Sequence, residues 1–156
     1  MAGNKLDFKK SVVIKNKKAS HEYIFLDKYV AGIVLKGTEI KSVRMSKVNL
    51  QEAYCFFIDD ELWIRSMHVS PYLSAGFMNH VSKSDRKLLL KKKELKKLQM
   101  KMQDVGLTII PTKLFINDRG LAKVEIALAK GKKLYDKRND IKEKDNKREL
   151  SRMKFN

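Results

Sequence analysis

Apolar residues recur along most of the chain at alternate positions or in short unbroken runs, which is the pattern of β-strands. Runs of this kind cover 12–14, 22–26, 31–35, 53–58, 61–69, 107–116 and 121–130. The stretches Asp59-Asp60 and 117–120 are rich in turn-forming residues and predict hairpin turns. Pro111 has no N–H to donate, so it predicts an edge or a bulge in its strand.

Two segments have a helical pattern instead. Thr38 is placed to cap a short helix through 39–44. A longer helix is predicted from Ser84 to Val105, with Gly106 at its end. Its apolar residues recur at separations of three, four and seven and would share one face: Leu88, Leu95, Leu98, Met102 and Val105. Its lysines fall elsewhere around the helix and are either a solvated surface or a phosphate-binding one.

The elements predict a mainly β protein with helices, folded as a small closed antiparallel barrel. The oligonucleotide-binding barrel is one type of this class. The barrel is expected to span residues 12–131 as one domain. A basic N-terminal arm, 1–11, is expected to be flexible, and a basic C-terminal tail covers 132–156.

The charge balance narrows the choice of partner. The chain has 35 Lys and Arg against 18 Asp and Glu, which gives a net charge of +17. Such an excess favours a polyanionic partner, with nucleic acid first and an anionic membrane surface as the competitor. No run of about 18 apolar residues is present, so no membrane span is expected. One cysteine, Cys55, and the absence of a secretory pattern fit a cytoplasmic protein.

The tail is unusual because its spacing is helical although it has few apolar residues. By itself it cannot bury enough surface to offset the entropy of ordering. We therefore expect it to be disordered in the free protein and to become helical against a polyanion, as basic RNA-binding segments do. The competing interpretation is a tail that only increases solubility.

No set of residues in the sequence indicates a catalytic reaction. His21, His68 and His80 are far apart in the sequence, and no phosphate loop, nucleophile elbow or metal motif occurs. Cys55 lies in an apolar run and is expected to be a buried packing residue. We expect neither catalysis nor a cofactor. Residues suited to phosphates and bases do occur, and the stretch 16–23 predicts an RNA-facing loop; the candidates are Asn16, Lys17, Lys18, His21, Lys41 and Arg44.

Four separated stretches together resemble one known family. They are "NKKASHEYIFLDKYVAGIVLKGTEIKSVR" (16–44), "KVNLQEAY" (47–54), "RKLLLKKKEL" (86–95) and "IALAKGKKLYDKR" (126–138). In this order and across nearly the whole chain they are similar to the bacterial SsrA-binding protein (SmpB) family. The first and last stretches are the most specific.

The resemblance implies an RNA-binding protein of trans-translation and ribosome rescue with an oligonucleotide-binding-type barrel. Such a protein binds the tRNA-like domain of transfer-messenger RNA (tmRNA) and is linked to alanyl-tRNA synthetase and elongation factor Tu. It brings the RNA to stalled ribosomes, where the barrel stands in place of an anticodon arm. Its tail enters the empty messenger channel beside the small-subunit decoding centre and becomes helical there.

The resemblance also assigns residues. Asn16 falls in the family's RNA-contacting loop, so Asn16→Ala is expected to weaken RNA binding without unfolding the barrel. Arg86 and Lys87 match a helix that supports the RNA-binding face. Matching the junction with the tail, and expected to bind RNA, are Lys132, Lys133, Tyr135, Lys137 and Arg138. Matching positions used at the decoding centre are Asp136, Ile141, Lys142, Arg152 and Met153.

Two departures from the family pattern limit this transfer. Val30 stands where several relatives carry an acidic residue, so an RNA contact there does not carry over. Tyr135 stands where many relatives have His, which preserves stacking and removes a protonated ring. A structural ribosomal protein with a basic extension would share the size, charge and tail, and it is the alternative that the sequence leaves open.

Overall fold

The computed structural model describes residues 12–132, 142 and 144–148, and within them strands dominate. Within 12–132 the α-helices are α1 (Lys17–Glu22), α2 (Gly37–Arg44) and α3 (Lys92–Lys101). The strands are β1 (Val13–Lys15), β2 (Tyr23–Ile33), β3 (Val48–Asn49), β4 (Tyr54–Ile58), β5 (Glu61–Arg65), β6 (His68–Val69), β7 (Arg86–Leu89), β8 (Leu107–Ile116) and β9 (Ala122–Gly131). The mainly β prediction is confirmed. The arm 1–11 and most of the tail lie outside the described residues; Lys142 and 144–148 have helical backbone and exposed side chains.

Six strands pair in a ring. β8 pairs with β4, β4 with β5, β5 with β7, β7 with β2, β2 with β9, and β9 again with β8, all antiparallel. β1 and β4 pair with the same edge of β8 at different positions: β1 lies opposite 113–115, and β4 lies opposite Ile109. β3 and β6 form a separate two-stranded sheet. Every long strand therefore has a partner on each side.

The turns form as the sequence predicts. Asp59 and Asp60 join β4 to β5 with φ angles of 48° and 64°, a left-handed pair that suits a tight hairpin. The β8–β9 turn is closed by Asn117, whose side-chain oxygen accepts from the N–H groups of Arg119 and Leu121. The register of β8 against β9 shifts between Pro111 and Lys113, which is the bulge expected at that proline.

The core lies inside the ring and combines side chains from most strands. Leu62, Ile64, Ile109, Leu114 and Ile126 are fully buried there. α3 adds Leu98, with Leu95 and Met102 packed partly against the core; Val105, placed on the same face by the sequence pattern, is fully exposed. Cys55 is buried as predicted, and burial raises the pKa of its thiol.

The long helix predicted from Ser84 to Val105 is wrong at both ends, because α3 covers only Lys92–Lys101 and stops before Val105 and Gly106. Arg86–Leu89 forms β7, which pairs with β5 at Trp63↔Lys87 and with β2 at Gly32↔Leu89. Along this strand Arg86 and Leu88 face inward, while Lys87 and Leu89 face outward. This segment is extended because its backbone pairs with both β5 and β2. The free energy gained by this pairing exceeds the local preference of the segment for helix.

Three other local predictions also need correction. The runs 22–26 and 31–35 are one strand, β2, with a register shift between Phe25 and Asp27. The run 61–69 is divided into β5 and β6. The cap of α2 is not Thr38: the helix begins at Gly37, and the carboxylate of Glu39 accepts from the N–H of Lys36 at 2.9 Å.

Candidate nucleic-acid interface

The stretch that the sequence indicates as an RNA-facing loop is instead a short helix, α1. Asn16 caps it: its side-chain oxygen accepts from the N–H of Ala19 at 3.2 Å. The amide nitrogen of Asn16 donates to the carbonyl oxygens of Leu50 and Pro111, at 3.1 and 2.9 Å. Asn16 is 4% exposed, so its side chain holds α1 against β8 rather than facing solvent.

Asn16→Ala is therefore expected to destabilise the protein, which differs from the outcome that the resemblance implies. The variant leaves the Ala19 N–H without its acceptor and removes one donor from the carbonyls of Leu50 and Pro111, although the Leu50 carbonyl still accepts from the Ala53 N–H at 3.0 Å. A buried polar group left unpaired costs about 1–3 kcal/mol. We expect the free energy of unfolding, measured by urea denaturation, to fall by at least about 2 kcal/mol. Asn49→Ala, which removes an exposed amide bonded to the Gln51 N–H, is the control. An unfolding midpoint that Asn16→Ala leaves unchanged would contradict this role.

The other residues of α1 form a cationic surface above the buried cap. Lys17 and Lys18 are exposed, and His21 is partly exposed on the last turn. Lys18 donates to Glu52 at 2.9 Å. That hydrogen bond lowers the pKa of the Glu52 carboxyl and raises the pKa of Lys18, so both groups remain charged at neutral pH.

A pocket of about 310 Å³ lies beside α1, between the helix and the segment that leads into β4. Tyr23 and Tyr54 provide aromatic rings at this pocket, and its polar groups belong to Lys18, Gln51, Glu22 and Glu52. Tyr23 ends the stretch 16–23 that the sequence singles out, whereas Tyr54 and Gln51 were missed, because only the fold brings β4 and the segment before it to α1. Cations beside aromatic rings and amide groups suit phosphates and unpaired bases.

The first residue of the tail is attached to α1. The Lys132 N–H donates to the carbonyl of Glu22 at 2.9 Å, and its ammonium donates to the carbonyl of Ser20 at 3.2 Å. Lys132 thereby joins the α1 surface that Lys17, Lys18 and His21 define. The remaining tail candidates lie outside the described residues: Lys133, Tyr135, Asp136, Lys137, Arg138, Ile141, Arg152 and Met153.

The second group of candidates lies around α2 and β7. Lys41 is exposed, and its ammonium lies 5.1 Å from the centre of the Tyr72 ring; Arg44 is half-buried at the end of α2. Lys87 is partly exposed and donates to Glu61 at 2.9 Å. It lines a cleft of about 330 Å³ together with Trp63, whose indole N–H has no partner in the described part of the chain.

Arg86 is only 2% exposed and serves the fold. Its guanidinium donates to the carboxylate of Glu39 and to the carbonyl of Met67, the latter at 2.8 Å. The resemblance places Arg86 on a helix below an RNA-binding face. The structure places it on β7, as the buried connection between this strand and α2.

The described residues hold no group of three or more His, Cys, Asp or Glu side chains that could bind a metal ion. Among the helices of those residues, none combines the length and the apolar composition that crossing a bilayer requires.

A mainly β fold with a cationic, aromatic-lined surface defines the class of small basic binding modules to which many nucleic-acid-binding proteins belong. Comparison with known protein families identifies one family within this class. The model of the SmpB protein family matches residues 13–156, and the chain belongs to this family.

Individual relatives match this chain in sequence over almost their whole lengths. The SsrA-binding protein of Cytophaga hutchinsonii is 63% identical over 146 residues, which cover 94% of this chain and 95% of the relative. That of Bacteroides thetaiotaomicron is 54% identical over 143 residues, covering 92% and 95%. A solved chain described as "tmRNA-SmpB: a journey to the center of the bacterial ribosome" is 43% identical, with a TM-score of 0.68 over 79% of this chain and 86% of that one.

Proposed function

We propose that this protein is a cytoplasmic RNA-binding protein of trans-translation that binds the tRNA-like domain of tmRNA and delivers it to stalled ribosomes. The observation that carries the proposal is the similarity, over more than nine-tenths of the chain, to proteins named for binding SsrA. The solved structure that names tmRNA and the bacterial ribosome supports it. The cationic α1 surface supplies a place for the RNA.

The ring of six strands supports a closed barrel of the oligonucleotide-binding type, with residues 12–131 as the RNA-binding domain. In this proposal, the barrel occupies the position of an anticodon arm. The tail, 132–156, passes into the empty messenger channel and becomes helical at the decoding centre of the small subunit. Alanyl-tRNA synthetase and elongation factor Tu would act on the same RNA, and this protein would itself catalyse no reaction.

We assign the primary RNA contacts to the exposed residues of α1 and the tail junction. Lys17, Lys18, His21 and Lys132 meet on one surface beside the tyrosine-lined pocket. Asn16 and Arg86 act indirectly, since their buried side chains position α1 and β7. Lys41, Arg44 and Lys87 lie in a second region. The alternative of a structural ribosomal protein explains the charge and size but gives no reason for the match to SsrA-binding relatives.

The proposal predicts a specific salt dependence. Each phosphate that a lysine neutralises releases counterions, so the affinity for an isolated tRNA-like domain should fall steeply with salt. Lys17→Ala should weaken binding and reduce the slope of log affinity against log salt by about 0.7–0.9. Lys96→Ala, which removes an exposed lysine on α3, is the matched control and should change the slope little. An affinity that is constant from low to moderate salt would rule out phosphate recognition.

A further inference from the structure

The segment between β6 and β7 leaves large apolar side chains in solvent on an otherwise basic protein. Phe77 is 98% exposed, Leu73 85%, Met78 75% and Val81 70%. Three of them lie within the 3-10 segment Leu73–Met78, in which Gly76 turns the chain with a φ of +57°. Exposed apolar groups clustered in this way usually mark an interaction site.

This exposure is not the result of a loosely attached loop. Asn79 closes the loop: its side-chain oxygen accepts from the Tyr72 N–H at 3.0 Å, and its amide donates to the Tyr72 carbonyl at 2.7 Å. The buried ring of His80 contacts the Thr38 hydroxyl at 2.8 Å and donates to the Val69 carbonyl at 3.0 Å. Both ends of the apolar segment are therefore fixed to the body.

Arg86 strengthens this attachment from below. Besides its contact with Glu39, its guanidinium donates to the carbonyl of Ser82 at 3.1 Å, on the return limb of the loop. The N–H of Val69 donates to the same Ser82 carbonyl at 2.9 Å. Several buried polar groups thus fix the position of the loop, although no side chain at its tip is buried. This arrangement is expected of a loop that is preorganised to contact a partner.

The charges around the loop favour a negatively charged partner, here a nucleic acid, over a neutral one. Residues 66–84 contain no Asp or Glu. Lys41 lies over the ring of Tyr72 at the base of the loop. A pocket of about 130 Å³ is formed there, with Lys47 and Leu73 among its lining residues. Apolar and aromatic groups surrounded by lysines suit a base that stacks while its phosphates contact the cations.

We propose that the loop 72–79 is a second RNA contact, in which Phe77 stacks on a base of the tRNA-like domain that is not base-paired. Lys41 and Lys47, which lie at the base of the loop, would hold the adjoining phosphates. This inference depends on the proposed function, because it takes the same RNA as ligand. It assigns that RNA a contact separate from the α1 surface and different in kind, because stacking on Phe77 involves no charge.

The experiment measures the affinity of the full-length protein for a transcribed tRNA-like domain. Phe77→Ala should weaken binding by about 5- to 100-fold, as expected for the loss of one stacked base. Phe77→Tyr keeps a ring and should bind within about twofold of the unchanged protein. Leu121→Ala removes another exposed apolar side chain, in the β8–β9 turn, and should have no effect. Because Phe77 is 98% exposed, its replacement should leave the unfolding midpoint unchanged.

The salt dependence separates stacking from charge. Phe77→Ala should keep the slope of log affinity against log salt, because stacking releases no counterion, whereas Lys47→Ala should reduce it by about 0.7–0.9. Equal affinity of Phe77→Ala and the unchanged protein overturns the inference. This holds even if the variant loses binding to ribosomal proteins or to phosphatidylglycerol vesicles, which would indicate those partners instead. If the unchanged protein fails to bind the RNA, the proposed function itself fails and the inference with it.

Discussion

Arg86→Met is expected to lower the free energy of unfolding by about 3–5 kcal/mol, a large part of the roughly 5–15 kcal/mol available to a domain. Glu39 is 2% exposed and accepts a hydrogen bond from Arg86. Without the guanidinium, the carboxylate is buried without its counter-charge, and the carbonyls of Met67 and Ser82 each lose a donor. Urea denaturation followed by circular dichroism measures the change.

A neighbouring ion pair provides the control. Lys87 is adjacent on β7 and pairs with Glu61 near the surface, where water screens both charges. Lys87→Met should therefore cost about 1 kcal/mol or less. Adding Glu39→Gln to Arg86→Met removes the unpaired charge and keeps an acceptor for the Lys36 N–H, so it should recover part of the loss. If Arg86→Met and Lys87→Met lower the free energy of unfolding by similar amounts, burial of the Arg86–Glu39 pair does not increase its contribution to stability.

Deletion of residues 140–156 is expected to abolish the tagging of stalled chains while leaving the affinity for the tRNA-like domain within about threefold of the full-length value. The deleted segment has six Lys or Arg and four Asp or Glu, a net charge of only +2 out of +17. Its loss should therefore change the electrostatic attraction to RNA little. The α1 surface and the junction at Lys132 remain in the shortened protein.

A second tail variant separates charge from sequence. Rearranging 140–156 at constant composition keeps the net charge and destroys the helical spacing. We expect this variant to bind RNA normally and to fail in tagging, measured as peptide added to chains made from a message without a stop codon. Parallel loss of RNA affinity and tagging in either variant would show that the tail belongs to the primary RNA site.

The sequence was sufficient where local chemistry determines the structure. The paired aspartates at 59–60 and the stretch 117–120 form turns because their residues tolerate or stabilise tight backbone conformations, and neither needs a distant partner. Pro111 produces a bulge for a similarly local reason. The strand character of β8 and β9 follows from apolar alternation. The family resemblance, carried by motifs in a fixed order, is confirmed by the match over residues 13–156.

The candidate site was predictable only in part. The charge excess and the stretch 16–23 directed attention to α1, and the structure places Lys17, Lys18 and His21 on its surface. The sequence does not show that Asn16 faces inward, because its partners at Leu50 and Pro111 are 34 and 95 residues away. Tyr54 and Gln51 were missed for the same reason, since nothing near them in the chain indicates a pocket beside α1.

The sequence by itself determined that this chain is basic, rich in strands and a member of its family, because composition, alternation and motif order are properties of the chain alone. Only the tertiary structure decided that Arg86–Leu89 is a strand, that Arg86 and Asn16 are buried, and that Phe77 remains exposed. Each of these depends on hydrogen bonds and packing between segments distant in the chain. The free energy of such contacts exceeds the small local preferences that a sequence displays.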